Sequence, residues 1–368
     1  MSFTQCNNLI PYGFGESHAR QLEKLTRGPQ GLPAALEPGR IVAAARDIFL
    51  VQTAAGELWC RVSGKLRARA AAEDLWPCAG DWVALRRHGE GSDGTLEAVL
   101  PRQTALLRHA AGRRSRAQAL AVNMELVLLL MGLDGNFNPA RMERLAAVAW
   151  GSGAQPVAVL TKSDLVESAD AHVLRIEGVV PFVPVHAVSA LSGAGLAELR
   201  ALLAPGKTGV MIGSSGVGKS TLLNRFAGAE LRRTREVRAS DSRGRHTTSL
   251  RELFLLPGGG CLIDTPGLRE VGVWGETGGL EETFADVAEL AERCRFRDCA
   301  HRGEPGCAVA AALAEGRLDP ERYQSYLKLR RELRFARSRS DERLRREREQ
   351  WGKEIARQQR SFDKSSRG

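Results

Sequence analysis

Apolar residues along this chain follow two rhythms. In the first part they come in short runs: Ile41-Val42, Ile48-Phe49-Leu50-Val51, Leu58-Trp59-Cys60-Arg61-Val62, Asp81-Trp82-Val83-Ala84-Leu85 and Thr95-Leu96-Glu97-Ala98-Val99-Leu100. Turn residues part them, Ala54-Ala55-Gly56-Glu57 at one point and the Gly-rich stretch 89–94 at another. Five short strands at that spacing predict a small β-barrel, with an OB-fold as the natural candidate. From Leu126 the pattern changes. Leu126–Met131 reads as a buried strand, Pro139 to Trp150 as an amphipathic helix and 156–160 as the next strand. Thr208-Gly209-Val210-Met211-Ile212 reads as a strand, 220–226 as a helix and Cys261-Leu262-Ile263 as a further strand. Strands alternating with helical periods predict an α/β unit, a parallel sheet covered on both faces. The first 35 residues, with Gly28-Pro29 and Gly31-Leu32-Pro33, read as an irregular tail. Residues 103–122, with Arg108, His109, Arg113, Arg114 and Arg116, read as a linker or an RNA-facing loop. Trp59, Trp76 and Trp82 are either barrel core or platforms for nucleobases.

Chemistry enters at a turn. Gly213-Ser214-Ser215-Gly216-Val217-Gly218-Lys219-Ser220 fits G-x-x-x-x-G-K-[ST] without a mismatch, and Thr221 follows it in the helix. A Gly-rich strand-to-helix turn lets backbone N–H groups curl around a phosphate at the helix N-terminus. Lys219 would reach the β- and γ-phosphates, and the Ser220 hydroxyl would take a magnesium position. Upstream, Thr161-Lys162-Ser163-Asp164 follows an apolar strand in the pattern [NT]-K-x-D. There an aspartate accepts from the N1–H and exocyclic amine of guanine. Adenine lacks that donor pair and would leave Asp164 unpaired, a mismatch worth roughly 10⁴-fold. Thr161 stands where Asn is commoner, which is expected to loosen support of the P-loop. Ser189-Ala190 matches the short motif whose backbone meets the guanine O6. Downstream, Asp264-Thr265-Pro266-Gly267 would hold magnesium through water at Asp264 and sense the γ-phosphate at the Gly267 N–H. Gly244-Arg245-His246-Thr247-Thr248 occupies the place of a switch loop, and either Thr247 or Thr248 would complete the magnesium shell. Base-reading motifs thus precede the phosphate-binding one, an inverted order.

Composition narrows the setting. The chain of 368 residues is 43% hydrophobic, enough for two or three cored domains. No apolar run, Leu126–Met131 included, approaches the ~18–20 residues that span a bilayer. No signal pattern opens the chain, so a cytoplasmic location is the expectation. The net charge is +10, and between Lys328 and Gly368 fifteen Lys and Arg face seven Asp and Glu. Such a stripe suits a polyanion, or a solvated helix laced with i,i+4 pairs. Cys294, Cys299, His301 and Cys307 give C-x4-C-x-H-x5-C. Four soft ligands so close suit a tetrahedral Cys3His zinc site, with disulfides the rival for a chain outside a reducing compartment. Cys6, Cys60, Cys78 and Cys261 read as ordinary thiols.

Together, T-K-S-D at 161–164, G-S-S-G-V-G-K-S at 213–220, G-R-H-T-T at 244–248, D-T-P-G at 264–267 and the cysteine cluster resemble the circularly permuted GTPases. More narrowly, they resemble the bacterial ribosome small subunit-dependent GTPase A family, over roughly residues 36–335. That resemblance implies an α/β P-loop GTPase domain (circularly permuted), an N-terminal β-barrel (OB-fold) that binds RNA and a C-terminal α-helical zinc-binding domain. The corresponding partition is 1–35 tail, 36–104 OB-fold, 105–275 GTPase, 276–335 zinc domain and 336–368 basic helix or tail. The implied function is GTP hydrolysis in late maturation of the small (30S) subunit, stimulated by that subunit. Implied ligands are GTP or GDP, Mg2+, one structural Zn2+ and 16S rRNA, with no membrane partner, and a monomer is expected. Leu268 sits where many GTPases carry a water-orienting Gln, so turnover is poor alone or assisted. His246 is the implied water-orienting residue, with an exposed or RNA-contacting histidine as the alternative. Release of the switches on loss of the γ-phosphate is expected to reorient the zinc domain. Two rival readings stay open: an RNA-binding assembly factor with incidental hydrolysis, and a P-loop kinase or ATPase, which Asp164 disfavours.

Overall fold

The computed structural model describes residues 3–27, 36–45, 47–73, 75–89, 93–109, 117–228, 251–264, 278–301 and 303–340. A 3-10 helix, Phe3–Tyr12, and α1, Glu16–Arg27, open the chain. Here the structure departs from the irregular tail expected for 1–35. Leu9, Phe14 and Leu22 are buried against Trp82, Ala84 and Leu100 of the following domain. In α1 the spacing Ala19, Leu22, Leu25 is a helical apolar stripe, a signal for this helix present in the sequence, whereas Leu9 and Phe14 lie outside that period.

Next come β1 (Glu37–Ala45), β2 (Ile48–Thr53), β3 (Gly56–Val62), α2 (Gly64–Glu73), β4 (Trp82–Arg87) and β5 (Asp93–Val99). Alternation drives this unit: β3 and β5 switch residue by residue between inside and outside. Ile41, Phe49, Val51, Leu58, Cys60, Val83, Leu85 and Leu96 fill the interior. The pairing order β1-β2-β3-β5-β4 closes on itself through β1–β4, and β3 runs parallel to β5. A five-stranded closed barrel with its helix between β3 and β4 has the OB-fold arrangement. Of the tryptophans, Trp82 is buried and Trp76 packs partly on the barrel core, whereas Trp59 is 42% exposed.

The segment read as a linker instead holds a hairpin, β6 (Ala105–His109) and β7 (Ala117–Val122). Its apolar side chains explain the difference: Leu106, Leu120 and Ala121 sink into the core of the next domain. There follow β8 (Leu126–Gly132), α3 (Pro139–Trp150), β9 (Gln155–Thr161), α4 (Asp170–Val179), β10 (Val185–Ala187), α5 (Leu196–Ala201) and β11 (Thr208–Gly213). Asn138 caps α3, its side chain accepting from the Arg141 N–H at 3.0 Å, and Pro139 supplies the first helical position. Helix α6 covers 219–228, and β12 (Arg251–Leu255) and β13 (Cys261–Asp264) complete the sheet. Its order is β10-β9-β8-β11-β13-β12, parallel except for β12. All seven residues of β8 are buried, as expected for a central parallel strand.

Sheet and barrel are continuous, because β12 pairs antiparallel with β1 at Glu252↔Ala43 and Arg251↔Ala44. Arg40 rivets the junction. Its buried guanidinium donates to the carbonyls of Gly80 (3.3 Å), Asn123 (2.8 Å) and Tyr12, and it lies 5.1 Å from the Trp82 ring centroid. Beyond the sheet lie α7 (Gly278–Thr283), α8 (Ala285–Glu292), α9 (Ala308–Ala314) and α10 (Pro320–Ser340). Phe284, Val287, Val309, Tyr323 and Leu329 join the core under α3. Arg322 clamps this helical module to the sheet domain. It donates to both Asp286 carboxylate oxygens (2.6 and 2.7 Å), to Glu143 Oε1 (3.2 Å) and to the carbonyls of Val179 (2.6 Å) and Thr283 (3.0 Å). Among the described residues, no helix is long and apolar enough to cross a membrane.

Candidate nucleotide site and metal cluster

The loop 213–220 joins β11 to α6 at the C-terminal end of the parallel strands, where ligands of open α/β sheets gather. Gly218 has φ +102°, a conformation that a side chain would strain. Lys219 folds back over the loop, its ammonium donating to the carbonyls of Gly213 (2.6 Å) and Ser214 (2.7 Å). Those carbonyls hold the charge above the turn where a phosphate would lie.

The base-side loop is built from β9 and β10. Thr161 ends β9 at 5% exposure, and its hydroxyl donates to the Val217 carbonyl at 2.6 Å. The loosening expected from Thr in place of Asn is therefore not what the structure has: the shorter side chain still ties the base side to the phosphate side. Lys162 takes a left-handed conformation, φ 61°, and ion-pairs with Asp134. That ammonium holds the Asp134 carboxyl below the ordinary carboxylate range. Asp134 lies just past β8, and a Cβ at Gly132 would stand 2.6 Å from its Oδ1. Asp164 is exposed, and its Oδ1 accepts from the buried Ser189 hydroxyl. Ser189 Oγ in turn accepts from the N–H groups of Leu191 (3.2 Å) and Ser192 (3.1 Å). Arg225 of α6 donates to the carbonyls of Ala190 (2.5 Å) and Leu191 (2.6 Å). Helix α6 thereby sets the height of the 189–191 loop over the P-loop.

The structure brings 161–164, 189–190 and 213–221 together at the ends of neighbouring parallel strands and leaves Asp264 at the end of β13 beside them in the sheet. His246, Thr247, Thr248 and Gly267 lie outside the described residues, as does the segment after Gly267. Sequence reasoning missed Asp134 and Arg225. The signal for Asp134 was a carboxylate just after a parallel strand. Arg225 carried none, because its partners lie 34 and 35 residues away.

The second cluster is separate. Ligand atoms of Cys294, Cys299, His301 and Cys307 lie within 4.8 Å of one another. His301 Nδ1 is 3.5 Å from both the Cys294 and Cys307 sulfurs, which are 4.0 Å apart. Tetrahedral bonds of about 2.3 Å to sulfur place neighbouring sulfurs about 3.8 Å apart, so the residues fit such an ion. His301 is held by a left-handed backbone, φ 58°. Burial, aided by the Arg330 cation, lowers its pKa and favours the neutral imidazole that ligates. Glu304, another residue the sequence did not flag, steadies the loop by accepting from the Ala300 N–H (3.1 Å). The seven cysteines are free thiols.

A P-loop fed by β11, with the base-reading loop arriving earlier in the chain from β9 and β10, defines a circularly permuted P-loop GTPase. Comparison agrees. The family model described as RsgA GTPase matches residues 99–274. A protein of Lactiplantibacillus plantarum named small ribosomal subunit biogenesis GTPase RsgA 2 is 43% identical over 89% of this chain and 90% of its own. The crystal structure of YjeQ from Thermotoga maritima superposes with TM-score 0.60 at 27% identity, covering 81% of this chain and 99% of that one. YloQ, described as a circularly permuted GTPase, gives 0.57 at 26% identity, with 82% and 96% coverage. The chain belongs to the RsgA GTPase family, whose activity is GTP hydrolysis with a guanine nucleotide and Mg2+.

Proposed function

We propose that this chain hydrolyses GTP to GDP and phosphate while bound to the small (30S) ribosomal subunit, in late maturation of that subunit. In this reading Asp164 accepts from the guanine N1–H and exocyclic amine, Lys162 lies along the ring, and the 189–190 backbone meets O6. Loop 213–218 cradles the phosphates, Lys219 turns from its carbonyls to the β- and γ-oxygens, and Ser220 and Asp264 hold Mg2+. One of Thr247 and Thr248 completes the magnesium shell, the Gly267 N–H senses the γ-phosphate, and His246 orients the attacking water. The observation that carries the reading is the Thr161–Val217 hydrogen bond, with Asp164 held by Ser189 next to it. It joins base recognition and phosphate recognition in one rigid unit, as a guanine-specific switch requires. The Cys3His cluster holds one structural zinc, and the spacing of its ligand atoms supports this. The barrel and the basic C-terminal segment bind 16S rRNA, and the protein works as a cytoplasmic monomer.

Turnover with and without purified 30S subunits tests the reading. Stimulation of at least tenfold is expected, with GTP preferred over ATP in competition. Turnover unchanged by 30S subunits would favour an RNA-binding factor whose nucleotide state only sets affinity. Preference for ATP would sink the assignment of Asp164. Lys219→Ala is expected to abolish nucleotide binding with the fold intact, and His246→Ala to bind GTP normally but lose stimulated turnover.

A further inference from the structure

Helix α10 carries a second chemical feature, away from the nucleotide. Tyr323, Leu327, Arg330, Arg331 and Arg334 fall on one helical face, and with Ala300 and His301 they line a pocket of about 320 Å³. Three guanidinium groups thus converge on one concavity beside the Cys3His cluster. Among the described residues none of the three has a carboxylate within ion-pair distance. Arg330 is steadied instead by the Tyr326 ring, 5.3 Å away. Like charges crowded without a counter-charge repel, and the repulsion is relieved when an anion enters. The contrast with Arg322 on the same helix is informative, since that guanidinium has two carboxylate partners. Planar five-donor forks match phosphate oxygens, and three of them on one helical face present that geometry to a single anion.

We propose that the pocket formed by Arg330, Arg331 and Arg334 against the 300–301 turn is a phosphate site, occupied by a backbone phosphodiester of RNA. It rests on the reading that small-subunit RNA is the partner, and it names the point on the helical module that grips that RNA. The bound phosphate bridges α10 and the metal-binding turn, so RNA and metal stabilise the same corner.

The test uses the full chain, wild type and the double variant Arg331→Gln/Arg334→Gln, binding purified 30S subunits over a series of salt concentrations. Neither residue touches the nucleotide site, so basal GTP turnover should stay unchanged, while helix content and metal content of the variant report an intact helical module. Loss of affinity of roughly tenfold is expected, with the slope of log K against log salt reduced by about 1 per substitution. Arg331→Lys/Arg334→Lys is expected to keep the slope and recover part of the affinity. Wild-type affinity and slope in the Gln variant would overturn the proposal. Inorganic phosphate at constant ionic strength separates the two sources of the anion. If it raises the melting temperature of the wild type and not of the Gln variant while 30S binding is equal, the pocket takes free anions and the RNA assignment fails. A wild-type chain that does not bind 30S subunits removes the functional reading and this proposal with it, an outcome distinct from equal binding by both proteins.

Discussion

Thr161→Val replaces a hydroxyl with a methyl of nearly the same shape. No cavity opens, so the change isolates one hydrogen bond. Thr161 Oγ donates to the Val217 carbonyl at 2.6 Å, with Met131 O a distant second acceptor at 3.4 Å. Both Thr161 and Val217 are buried, so water cannot replace the lost donor without disturbing the loop. An unsatisfied buried carbonyl costs about 1–3 kcal/mol. Part of that appears as global stability. The rest appears as nucleotide affinity, because the 217–218 peptide must hold its orientation for the phosphate to bind. At 1.4 kcal/mol per tenfold, the ceiling on lost GDP affinity is roughly 150-fold and the floor about fivefold if the whole cost falls on binding. Titration with a fluorescent GDP analogue, alongside urea unfolding of the nucleotide-free protein, reads both parts. Thr161→Ser is expected to recover most of the loss, since it restores the donor without the methyl. Wild-type affinity and wild-type urea midpoint in Thr161→Val would refute the claim that this bond couples the base and phosphate sides.

Three further outcomes are expected. Arg322→Met leaves Glu143 buried and Asp286 partly so, both without their cation, and should destabilise by about 3 kcal/mol; equal urea midpoints would contradict it. Burial, with the Arg40 cation second, depresses the His18 pKa from 6.5 to about 4. Its contribution to stability is therefore full above pH 6.5 and lost as pH falls from there towards 4. His18→Gln, which keeps an acceptor for the Gly15 N–H, should flatten that fall in unfolding midpoint measured against pH. Chelation, or Cys307→Ala, should remove one zinc per chain and melt the 278–340 helices while GDP affinity changes less than twofold; a protein with no zinc by elemental analysis would end the metal assignment. Cys307 also caps α9, its sulfur accepting from the Ala310 N–H at 3.4 Å, so the variant loses a cap with the ligand.

Most of what local order encodes was legible in the chain. Barrel strands β3 and β5 alternate with period two, the other three are short apolar runs, and β8, β9 and β11 are apolar runs ending in turns. The P-loop and T-K-S-D are contiguous, so their chemistry needs no partner to be seen. What escaped depends on distant residues. The 3-10 helix and α1 owe their order to Trp82 and Leu100, and the β6–β7 hairpin owes its order to the core it covers. Strand β12 went unnoticed because Arg251-Glu252 opens it and its partners β1 and β13 lie on opposite sides. Arg40 reads as an ordinary strand cation until Tyr12, Gly80 and Asn123 turn their carbonyls to it. The contacts of Asp134 with Lys162 and of Arg225 with the 190–191 carbonyls likewise emerge only when separate segments meet.

The junction of β12 with β1 also bears on when the molecule can form. The strand ladder of the barrel closes among residues 37–100, so its pairing partners exist while the later strands are still being synthesised, and the Arg40 guanidinium waits for the Asn123 carbonyl. The nucleotide sheet differs. Its strand β8 waits for β11, and β11 waits for β13, so the centre of the sheet closes only when residues 208–264 have been made. Permutation has thus put the P-loop half after the T-K-S-D half in synthesis, and strands β8, β9 and β10 spend that interval as an open three-stranded sheet. The early barrel then offers β1 as a ready template on which β12 docks in register.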